Sequence, residues 1–283
     1  MKHLLAVALC AALPVALAGC RFHINVPETE TETTASPAYV TDIHGKDVPV
    51  FEDVALSSLD PTRFRKTDNG RMTYDDENFN VYTGIDVSRF QGDVDWDAVK
   101  ADGVDFVMLR IGGRAYGTEG ELYEDTKFPE NYAGARAAGL QVGVYFFSQA
   151  VTIEEAAQEA AYTLGLLDGA ALDLPVAFDW EHVSDAAART AAMEGAQITS
   201  FAKAYCDAIT AAGYQAVIYF NREHGYFNYE LSQITDYHFW YAEYADLPSF
   251  IYDYKMWQYT EEGKVNGIEG NVDLNIALEP AVG

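Results

Sequence analysis

From Thr83 onward, short apolar runs alternate with longer amphipathic segments along the chain. The apolar runs predict five strands, at residues 84–87, 106–111, 141–148, 175–181 and 216–221. The amphipathic segments predict helices at residues 95–102, 131–138, 152–168 and 190–212. After the fifth strand the rhythm changes, and three further strands follow with little helix between them, at residues 238–244, 254–260 and 272–277. Five strand–helix units followed by three strands predict an α/β barrel that is parallel for most of its circuit and irregular where it closes.

Residues 1–19 form a separate segment that is predicted to be a signal peptide. Lys2 precedes an apolar run from Leu4 to Leu17, which is too short to span a bilayer comfortably. The run ends in Leu-Ala-Gly-Cys at residues 17–20, which resembles the lipobox of bacterial lipoproteins. This resemblance implies export, lipidation of Cys20 and anchoring to the membrane on its extracytoplasmic side. The alternative is a plain signal peptide followed by a free cysteine.

Two segments are predicted to precede the barrel domain, which occupies residues 83–283. Residues 20–62 include alternating Glu and Thr without apolar periodicity, which predicts a solvated acidic tether. Residues 63–82 contain Asn69-Gly70 between two short runs, which predicts a β-hairpin appendage with a two-residue loop.

The charge of the chain excludes one class of partner. Its 18 Lys and Arg residues stand against 44 Asp and Glu residues, a formal net charge of −26. This acidity argues against nucleic acid as a partner, because phosphates require a basic face. The apolar fraction of 49% is enough for a large core and excludes a disordered chain.

The cysteines and histidines predict neither a disulfide nor a metal site. The cysteines are Cys10, Cys20 and Cys206. Once the first is removed with the signal and the second is acylated, no intrachain disulfide is possible, and the third is predicted to be a buried thiol. The six histidines, among them His182, His224 and His238, lack paired ligand spacing and are predicted to be solvated. We expect a monomer.

The strand that ends near Glu181 carries two carboxylates on one of its faces. Successive strand residues point to opposite sides, so Val176, Phe178 and Trp180 are predicted to pack outward. Asp179 and Glu181 then face the barrel axis, at the strand end where such barrels hold their active sites. Proximity of like charges raises one pKa, which keeps a carboxylic acid protonated and able to act as a general acid.

The same parity applies to the first and last strands of the barrel. Asp86 and Asp273 both point inward by this rule, and the two strands are neighbours in a closed barrel. Four acids from three strands are therefore predicted to converge on one mouth. The alternative for each acid is to cap a helix or pair with a surface base.

Aromatic residues accompany these acids. Tyr145, Trp240 and Tyr244 are predicted to line the cleft, since the apolar faces of sugars stack on such rings. Gln258 is predicted to face the substrate as well, while its neighbour Trp257 has the opposite parity and is assigned to the core.

Four segments resemble the glycoside hydrolase family 25 lysozymes: residues 84–96 (Gly-Ile-Asp-Val-Ser, Gln-Gly and Val-Asp-Trp), 174–181 (Leu-Pro-Val-Ala-Phe-Asp-Trp-Glu), 240–244 (Trp-Tyr-Ala-Glu-Tyr) and 257–275 (Trp-Gln-Tyr and Val-Asp-Leu-Asn). The resemblance covers residues 83–278 in order. It implies an irregular, TIM-like (β/α)5(β)3 barrel without a cofactor. It further implies an N-acetylmuramidase that binds the glycan strands of peptidoglycan and cleaves the β-1,4 bond between N-acetylmuramic acid and N-acetylglucosamine. Glu181 aligns with the family's general acid, and Asp179, Asp86 and Asp273 align with its supporting carboxylates.

One position departs from the family pattern, because Phe146 follows Tyr145 where many members carry a histidine. This puts one polar substrate contact in doubt. Residue spacing leaves retaining and inverting mechanisms open. We favour retention assisted by the 2-acetamido group of the substrate, with Glu181 as general acid and Asp179 holding the acetamide N–H.

Three other functions are open to the same residues. A chitinase-like N-acetylglucosaminidase also ends a barrel strand in Asp-x-Glu, but such enzymes usually carry a further Asp where Ala177 stands here. A non-catalytic wall-binding lipoprotein on the same barrel would not need all four acids. A metal hydrolase is disfavoured by the histidine spacing.

Overall fold

The computed structural model of the protein describes residues 38–281. The predicted signal peptide, Cys20 and the acidic residues before Ala38 lie outside this range. The strands, in chain order, are β1 (Ala38–Thr41), β2 (Asp47–Val50), β3 (Phe64–Lys66), β4 (Met72–Tyr74), β5 (Phe79–Val87), β6 (Phe106–Arg114), β7 (Leu122–Glu124), β8 (Gln141–Ser148), β9 (Val176–Trp180), β10 (Ala216–Asn221), β11 (His238–Ala242), β12 (Met256–Gly263) and β13 (Val272–Pro280). The α-helices are α1 (Trp96–Ala101), α2 (Phe128–Ala137), α3 (Ile153–Leu167) and α4 (Gly195–Ala211).

Eight strands close into one barrel, in the order β5, β6, β8, β9, β10, β11, β12 and β13. Neighbouring strands from β5 to β12 run parallel. β13 is antiparallel to both of its neighbours, β12 and β5. The predicted barrel, parallel for most of its circuit and irregular at its closure, is confirmed. Its first strand begins at Phe79, so residues 79–82 belong to the barrel and not to the predicted appendage.

The four α-helices follow the first four parallel strands, as predicted. Thr152 begins α3 because its hydroxyl accepts a hydrogen bond from the Glu155 N–H at 3.2 Å. The fifth connection contains no α-helix: a π-helical turn (His224–Asn228) and a 3-10 turn (Leu231–Gln233) lead from β10 to β11. None of the helices in the described part of the chain is long and apolar enough to cross a membrane.

The alternation of side chains along the strands divides the apolar core into two layers. A larger outer layer lies between the strands and the helices, and it contains Val176, Phe178, Trp180 and the buried thiol of Cys206. A smaller layer fills the barrel interior, with Phe106, Met108, Ala177, Val217, Tyr219, Trp240, Ala242 and Met256. A Cβ at Gly84 would lie 2.0 Å from the Phe106 ring, so that ring fits only because residue 84 is glycine.

Residues 38–62 form a folded segment on the barrel, not the predicted tether. β1 and β2 pair as an antiparallel hairpin. The Arg222 guanidinium donates to the Asp42 carboxylate at 2.6 Å, and the Tyr252 hydroxyl donates to the Pro49 carbonyl at 3.0 Å. The tether prediction is wrong for these residues because their docking depends on single contacts with distant parts of the chain, which leave no periodicity in a short segment.

The hairpin predicted within residues 63–82 is present as β3 and β4, but its loop has three residues and not two. The Thr67 N–H donates to the Arg71 carbonyl at 2.8 Å, which leaves residues 68–70 as the loop. Gly70 closes the loop with a φ of 81°, a conformation that favours glycine. The hairpin packs on the barrel through Phe64, whose ring centroid lies 5.1 Å from that of the buried Trp257.

Replacing Asp42 by Asn tests the docking of the first hairpin. Burial alone would raise the pKa of the Asp42 carboxyl, but hydrogen bonds from the Lys46 N–H and the Arg222 guanidinium lower that pKa overall. A lowered pKa stabilises the fold above the unfolded value of about 4, and this stability is lost as the pH falls through the folded pKa. We expect Asp42→Asn to reduce the free energy of unfolding in urea by about 1–2 kcal/mol at pH 7, and the difference to shrink towards pH 3.

The control for this substitution is Asp47→Asn, on the exposed end of β2, which should change the free energy of unfolding by less than about 0.5 kcal/mol. Equal stability of Asp42→Asn and the parent at pH 7 would contradict the docking of the hairpin through this carboxylate.

Candidate active site

A cavity of about 270 Å³ opens at the end of the barrel where the parallel strands terminate. Its lining consists of Asp86, Arg110, Tyr145, Phe147, Asp179, Glu181, Tyr219, Trp240, Tyr244, Gln258, Glu261 and Asp273. All eight residues that the sequence indicates for catalysis or substrate contact are among them. The structure thus brings together side chains that lie up to 187 positions apart in the sequence (273 − 86 = 187).

Asp86 and Asp273 form the first of two carboxyl pairs in this cavity. They are direct partners across the antiparallel pairing of β5 and β13. One oxygen of Asp86, Oδ2, accepts hydrogen bonds from the Gln258 and Asn275 amides, each at 2.8 Å. The Gln258 amide also donates to Asp273 at 3.5 Å. The position of Asp86 is therefore fixed by two neutral donors.

Burial of this first pair favours its protonated form. Burial raises the pKa of Asp86, although its hydrogen bonds with Asn275 and Gln258 oppose the rise. Burial also raises the pKa of Asp273 to about 9, and the nearby charge of Asp86 adds to the effect. The two carboxyls together therefore retain a proton at neutral pH.

Asp179 and Glu181 form the second carboxyl pair, at the end of β9. Their carboxyl groups lie within hydrogen-bonding reach of each other. Burial raises the pKa of both, and the charge of Glu181 raises that of Asp179 further. The hydrogen bond with Asp179 opposes the rise for Glu181, and the Arg110 guanidinium opposes it for both. The Oδ1 atom of Asp179 is buried and has no hydrogen-bond partner in the described part of the chain. The Gln149 amide donates to the Glu181 carbonyl at 2.8 Å and holds the backbone at the strand end.

The four acids do not have the alternative structural roles, which were helix capping and pairing with a surface base. Within residues 38–281, none of them forms an ion pair with a base or caps a helix. Two adjacent carboxyl pairs, each retaining a proton, provide both a proton donor and a proton acceptor near neutral pH.

Trp240 and Gln258 line the cavity as residues of its wall, but both are almost fully buried. Trp240 is only 1% exposed, and its indole N–H donates to Asn275 at 2.8 Å, so its ring forms the cavity floor and has no free face for a sugar. Gln258 is buried, and its carbonyl oxygen accepts from the Tyr219 hydroxyl at 2.9 Å and the Tyr244 hydroxyl at 3.2 Å. Strand parity predicts the face on which a side chain lies but not its depth along the barrel axis, so the sequence does not reveal the burial of these two residues.

Tyr145 and Tyr244 present more of their rings to the cavity. Tyr145 is half-buried, with its ring edge-on to Trp240 at a centroid distance of 6.1 Å. Tyr244 is 52% exposed at the rim. These two rings are accessible to a ligand in the way that the sequence predicts.

His224 is buried and not solvated as predicted, while His182 and His238 are exposed. The His224 ring lies 5.8 Å from Trp180 and 5.2 Å from His182, centroid to centroid. Burial lowers the pKa of His224 to about 4, with the His182 charge adding to the effect. The π-helical turn that buries this side chain has no periodicity that the sequence could reveal. Among residues 38–281 no cluster of three His, Cys, Asp or Glu side chains could hold a metal ion.

Comparison with known proteins identifies the family. The sequence pattern of "Glycosyl hydrolases family 25" matches residues 85–268. The chain belongs to glycosyl hydrolase family 25. An autolytic lysozyme of Clostridium acetobutylicum is 32% identical over 193 residues, which are 68% of this chain and 54% of that protein. Lysozyme M1 of Streptomyces globisporus is 30% identical over 205 residues, which are 68% of this chain and 66% of that protein. The chain thus spans about half of the first relative and about two thirds of the second.

A solved structure shows the same fold. The modular autolysin LytC from Streptococcus pneumoniae, in complex with a synthetic peptidoglycan ligand, superposes with a TM-score of 0.64 at 23% identity. The superposition covers 85% of this chain and 56% of that chain.

The departure from the family 25 pattern at Phe146 lies away from the cavity. Phe146 is fully buried in the outer layer, with its ring centroid 6.4 Å from that of Tyr162 on α3 and 6.1 Å from that of Tyr205 on α4. Its neighbour Phe147 is the residue that lines the cavity. A residue in the Phe146 orientation cannot contact a ligand in the cavity, so the doubt about a polar substrate contact does not apply to this side chain.

Four cavity residues of this family 25 barrel were missed from the sequence: Arg110, Phe147, Tyr219 and Glu261. The first three share the inward parity of the residues two positions before them, so the rule that located the acids could have found them. Glu261 could not be found in this way, because β12 shifts register twice against β13 between Gln258 and Gly263.

Asp273→Asn tests the raised pKa through its effect on stability. A carboxyl whose pKa rises from about 4 to about 9 on folding binds a proton that the unfolded chain has released. The fold therefore loses stability as the pH rises through this window. We expect Asp273→Asn to exceed the parent in free energy of unfolding at pH 8 by at least about 1 kcal/mol, and to lose less stability between pH 5 and pH 8, as measured in urea.

The matched control is Asp97→Asn, on the exposed face of α1, which should leave the pH dependence of stability as it is in the parent. The same pH dependence in Asp273→Asn and the parent would contradict the raised pKa.

Proposed function

We propose that this family 25 protein is a peptidoglycan hydrolase that cleaves the β-1,4 bond between N-acetylmuramic acid and N-acetylglucosamine. The observation that carries the proposal is the convergence of two buried and two half-buried carboxyls, in two pairs, at the open end of the barrel. Two relatives of similar sequence are lysozymes by name. Hydrolysis of a glycosidic bond requires a proton donor at the leaving oxygen and stabilisation of positive charge at the anomeric carbon. The two carboxyl pairs meet both requirements.

Glu181 is the general acid in this proposal. It lies one residue beyond β9, at the mouth of the cavity, and is half-buried, whereas Asp179 is 5% exposed. The longer and more accessible side chain reaches the glycosidic oxygen. Burial raises its pKa, which favours the form that can donate a proton.

Asp179 serves as the partner of the substrate's 2-acetamido group. Its Oδ1 atom is a buried acceptor without a donor, which suits an amide N–H. In the first step the acetamide oxygen attacks the anomeric carbon, the bond to the leaving oxygen breaks, and Glu181 gives that oxygen its proton. In the second step water attacks the same carbon, the acetamide oxygen leaves, and Glu181 takes a proton from the water. Two inversions give net retention.

The first carboxyl pair and the aromatic rings support this chemistry. Asp86, held by two amides, and Asp273 share one proton, and the negative charge that the pair keeps lies near the developing cation. Tyr145 and Tyr244 offer ring faces to the sugars on either side of the bond.

The proposal includes the location of the enzyme. We expect export, removal of residues 1–19 and a lipid anchor on Cys20, with the enzyme acting as a monomer on the extracytoplasmic side. Since β1 begins at Ala38, 17 residues separate the anchor from the folded domain (38 − 20 − 1 = 17), a reach of at most roughly 60 Å.

Digestion of purified peptidoglycan tests the bond and the acid. The parent should release fragments whose new reducing end, identified by mass spectrometry, is N-acetylmuramic acid. Glu181→Gln removes the proton donor and should lower kcat by about 100- to 10,000-fold, while Glu77→Gln, an exposed surface substitution, should match the parent. A reducing-end N-acetylglucosamine would instead support the chitinase-like alternative. Binding without turnover by the parent would support the non-catalytic alternative.

The anomeric form of the first product tests the mechanism. Proton NMR during the first minutes of hydrolysis should show the β-anomer before mutarotation, because substrate-assisted hydrolysis retains configuration. Strands de-N-acetylated only at muramic acid should resist cleavage, since they lack the attacking oxygen, and strands de-N-acetylated only at glucosamine serve as the control. A first-formed α-anomer, or equal cleavage of both modified strands, would overturn substrate assistance.

A further inference from the structure

Five side chains form a continuous row of alternating rings and guanidinium groups beside the cavity: Phe147, Arg110, Tyr123, Arg89 and Phe90. We call this row the arginine ladder. The Arg110 guanidinium carbon lies 4.5 Å from the Phe147 ring centroid and 5.6 Å from that of Tyr123. The Arg89 guanidinium carbon lies 5.4 Å from the Tyr123 centroid and 4.7 Å from that of Phe90. The ladder runs from the cavity wall, which Phe147 and Arg110 line, to Phe90, which is 72% exposed.

Neither arginine of the ladder forms an ion pair with a carboxylate among residues 38–281. Most other arginines of this range do: Arg63, Arg71, Arg114, Arg136, Arg189 and Arg222. In a chain with 44 acids, two adjacent arginines without acidic partners are unusual. Arg110 is 9% exposed, and its Nε–H has no hydrogen-bond partner in the described residues. The Arg110 guanidinium donates to the Tyr123 hydroxyl at 2.5 Å, and its charge lowers the pKa of Asp179 and Glu181 from a distance. The ladder therefore holds two guanidinium groups that form no direct ion pair among residues 38–281.

The geometry of the ladder suits a carboxylate ligand. The Arg89 guanidinium lies beside the Phe90 and Tyr123 rings and is exposed, so its N–H groups are open to a ligand. Those donors match the two oxygens of a carboxylate. The two rings also limit the rotamers of Arg89, so less conformational entropy is lost when a ligand binds.

The acids of the cavity restrict where a negatively charged substituent can lie. Asp86, Asp179, Glu181, Glu261 and Asp273 line the cavity, and among residues 38–281 Arg110 is the only basic residue that does so. A glycan that carries carboxylates would meet repulsion at the carboxyl pairs and attraction at the ladder. The charge pattern thus orients such a strand across the mouth.

We propose that the arginine ladder is a subsite for carboxylates carried by the side groups of the glycan strand. The carboxylate comes either from the 3-O-lactyl group of a stripped strand or from the stem peptide. This inference rests on the proposed function, because it assumes a muramic acid-containing strand in the cavity. The ladder then acts through binding and not through the bond-breaking step.

Four kinds of strand test the subsite: strands with stem peptides, strands stripped of peptides that expose the lactyl carboxylate, and each of these with its carboxylates converted to methyl amides. We expect Arg89→Gln to raise KM about tenfold on carboxylate-bearing strands, with kcat unchanged, and to leave KM for the amidated strands as it is. Arg89→Lys should recover part of the loss, since it keeps the charge without the planar fork. The loss should decrease with added salt. The strand type that shows the loss identifies the source of the carboxylate.

Arg65→Gln is the matched control, because Arg65 is also exposed and without an ion pair among the described residues, but lies on β3. It should leave KM on every strand unchanged. An equal rise in KM for Arg89→Gln on charged and amidated strands would show that the ladder only packs against its neighbours, and it would overturn the proposal.

Equilibrium binding separates the failure of this subsite from the failure of the proposed function. The four strands are titrated into Glu181→Gln and into Glu181→Gln/Arg89→Gln. A tenfold weaker Kd of the double variant for charged strands alone supports the subsite even if the parent shows no turnover. Equal Kd values for the two proteins on every strand overturn the subsite even if the parent is active.

Discussion

The antiparallel pairing of β13 with β5 is the constraint on which the site depends. It closes the sheet and so removes the open edges that a row of parallel strands would leave. It also sets Asp273 directly opposite Asp86, although the two residues belong to the last and first strands of the barrel. Because β13 lies beside β5, the Asn275 amide on β13 can also donate a hydrogen bond to Asp86. The same strand pairing therefore closes the barrel and assembles the first carboxyl pair.

Two of the four carboxyls are buried and two are half-buried, which is unfavourable for their charged forms, and the structure offsets this cost in two ways. Neutral donors satisfy part of their hydrogen-bonding capacity, as the Gln258 amide does when it donates to Asp86 and Asp273 while accepting from Tyr219 and Tyr244. Protonation removes part of the charge, which is the cause of the raised pKa values. Apolar burial in the large outer layer, in which Trp180 and Trp257 are fully buried, offsets the rest of this unfavourable free energy. The partly buried carboxyls lower the stability of the fold, and the same burial keeps a proton available for transfer.

Much of the fold and the site could be predicted because both follow from strand periodicity. Asp86, Asp179, Glu181 and Asp273 were found by a rule that needs only the alternation of side chains and the order of the strands. Depth, irregular turns and single long-range contacts could not be found in this way. The rule placed Trp240 on the correct face but not on the cavity floor, and no local pattern distinguished a docked segment at 38–62 from a tether. His224 lies on a π-helical turn, whose burial depends on the Trp180 ring, 44 positions away in the sequence (224 − 180 = 44).

The net charge of −26 argues against nucleic acid as a partner, but it does not describe the electrostatics of the cavity. At physiological ionic strength a charge is felt over about 8 Å, so most of the 44 acids do not influence a ligand in the cavity. What a ligand meets there is local: two carboxyl pairs that each retain a proton, and Arg110 stacked on Phe147 beside them. Proton retention makes the cavity less anionic than its composition indicates. The stacked arginines add positive charge at one wall, so an overall acidic protein presents a mouth of mixed polarity that can orient an anionic polymer.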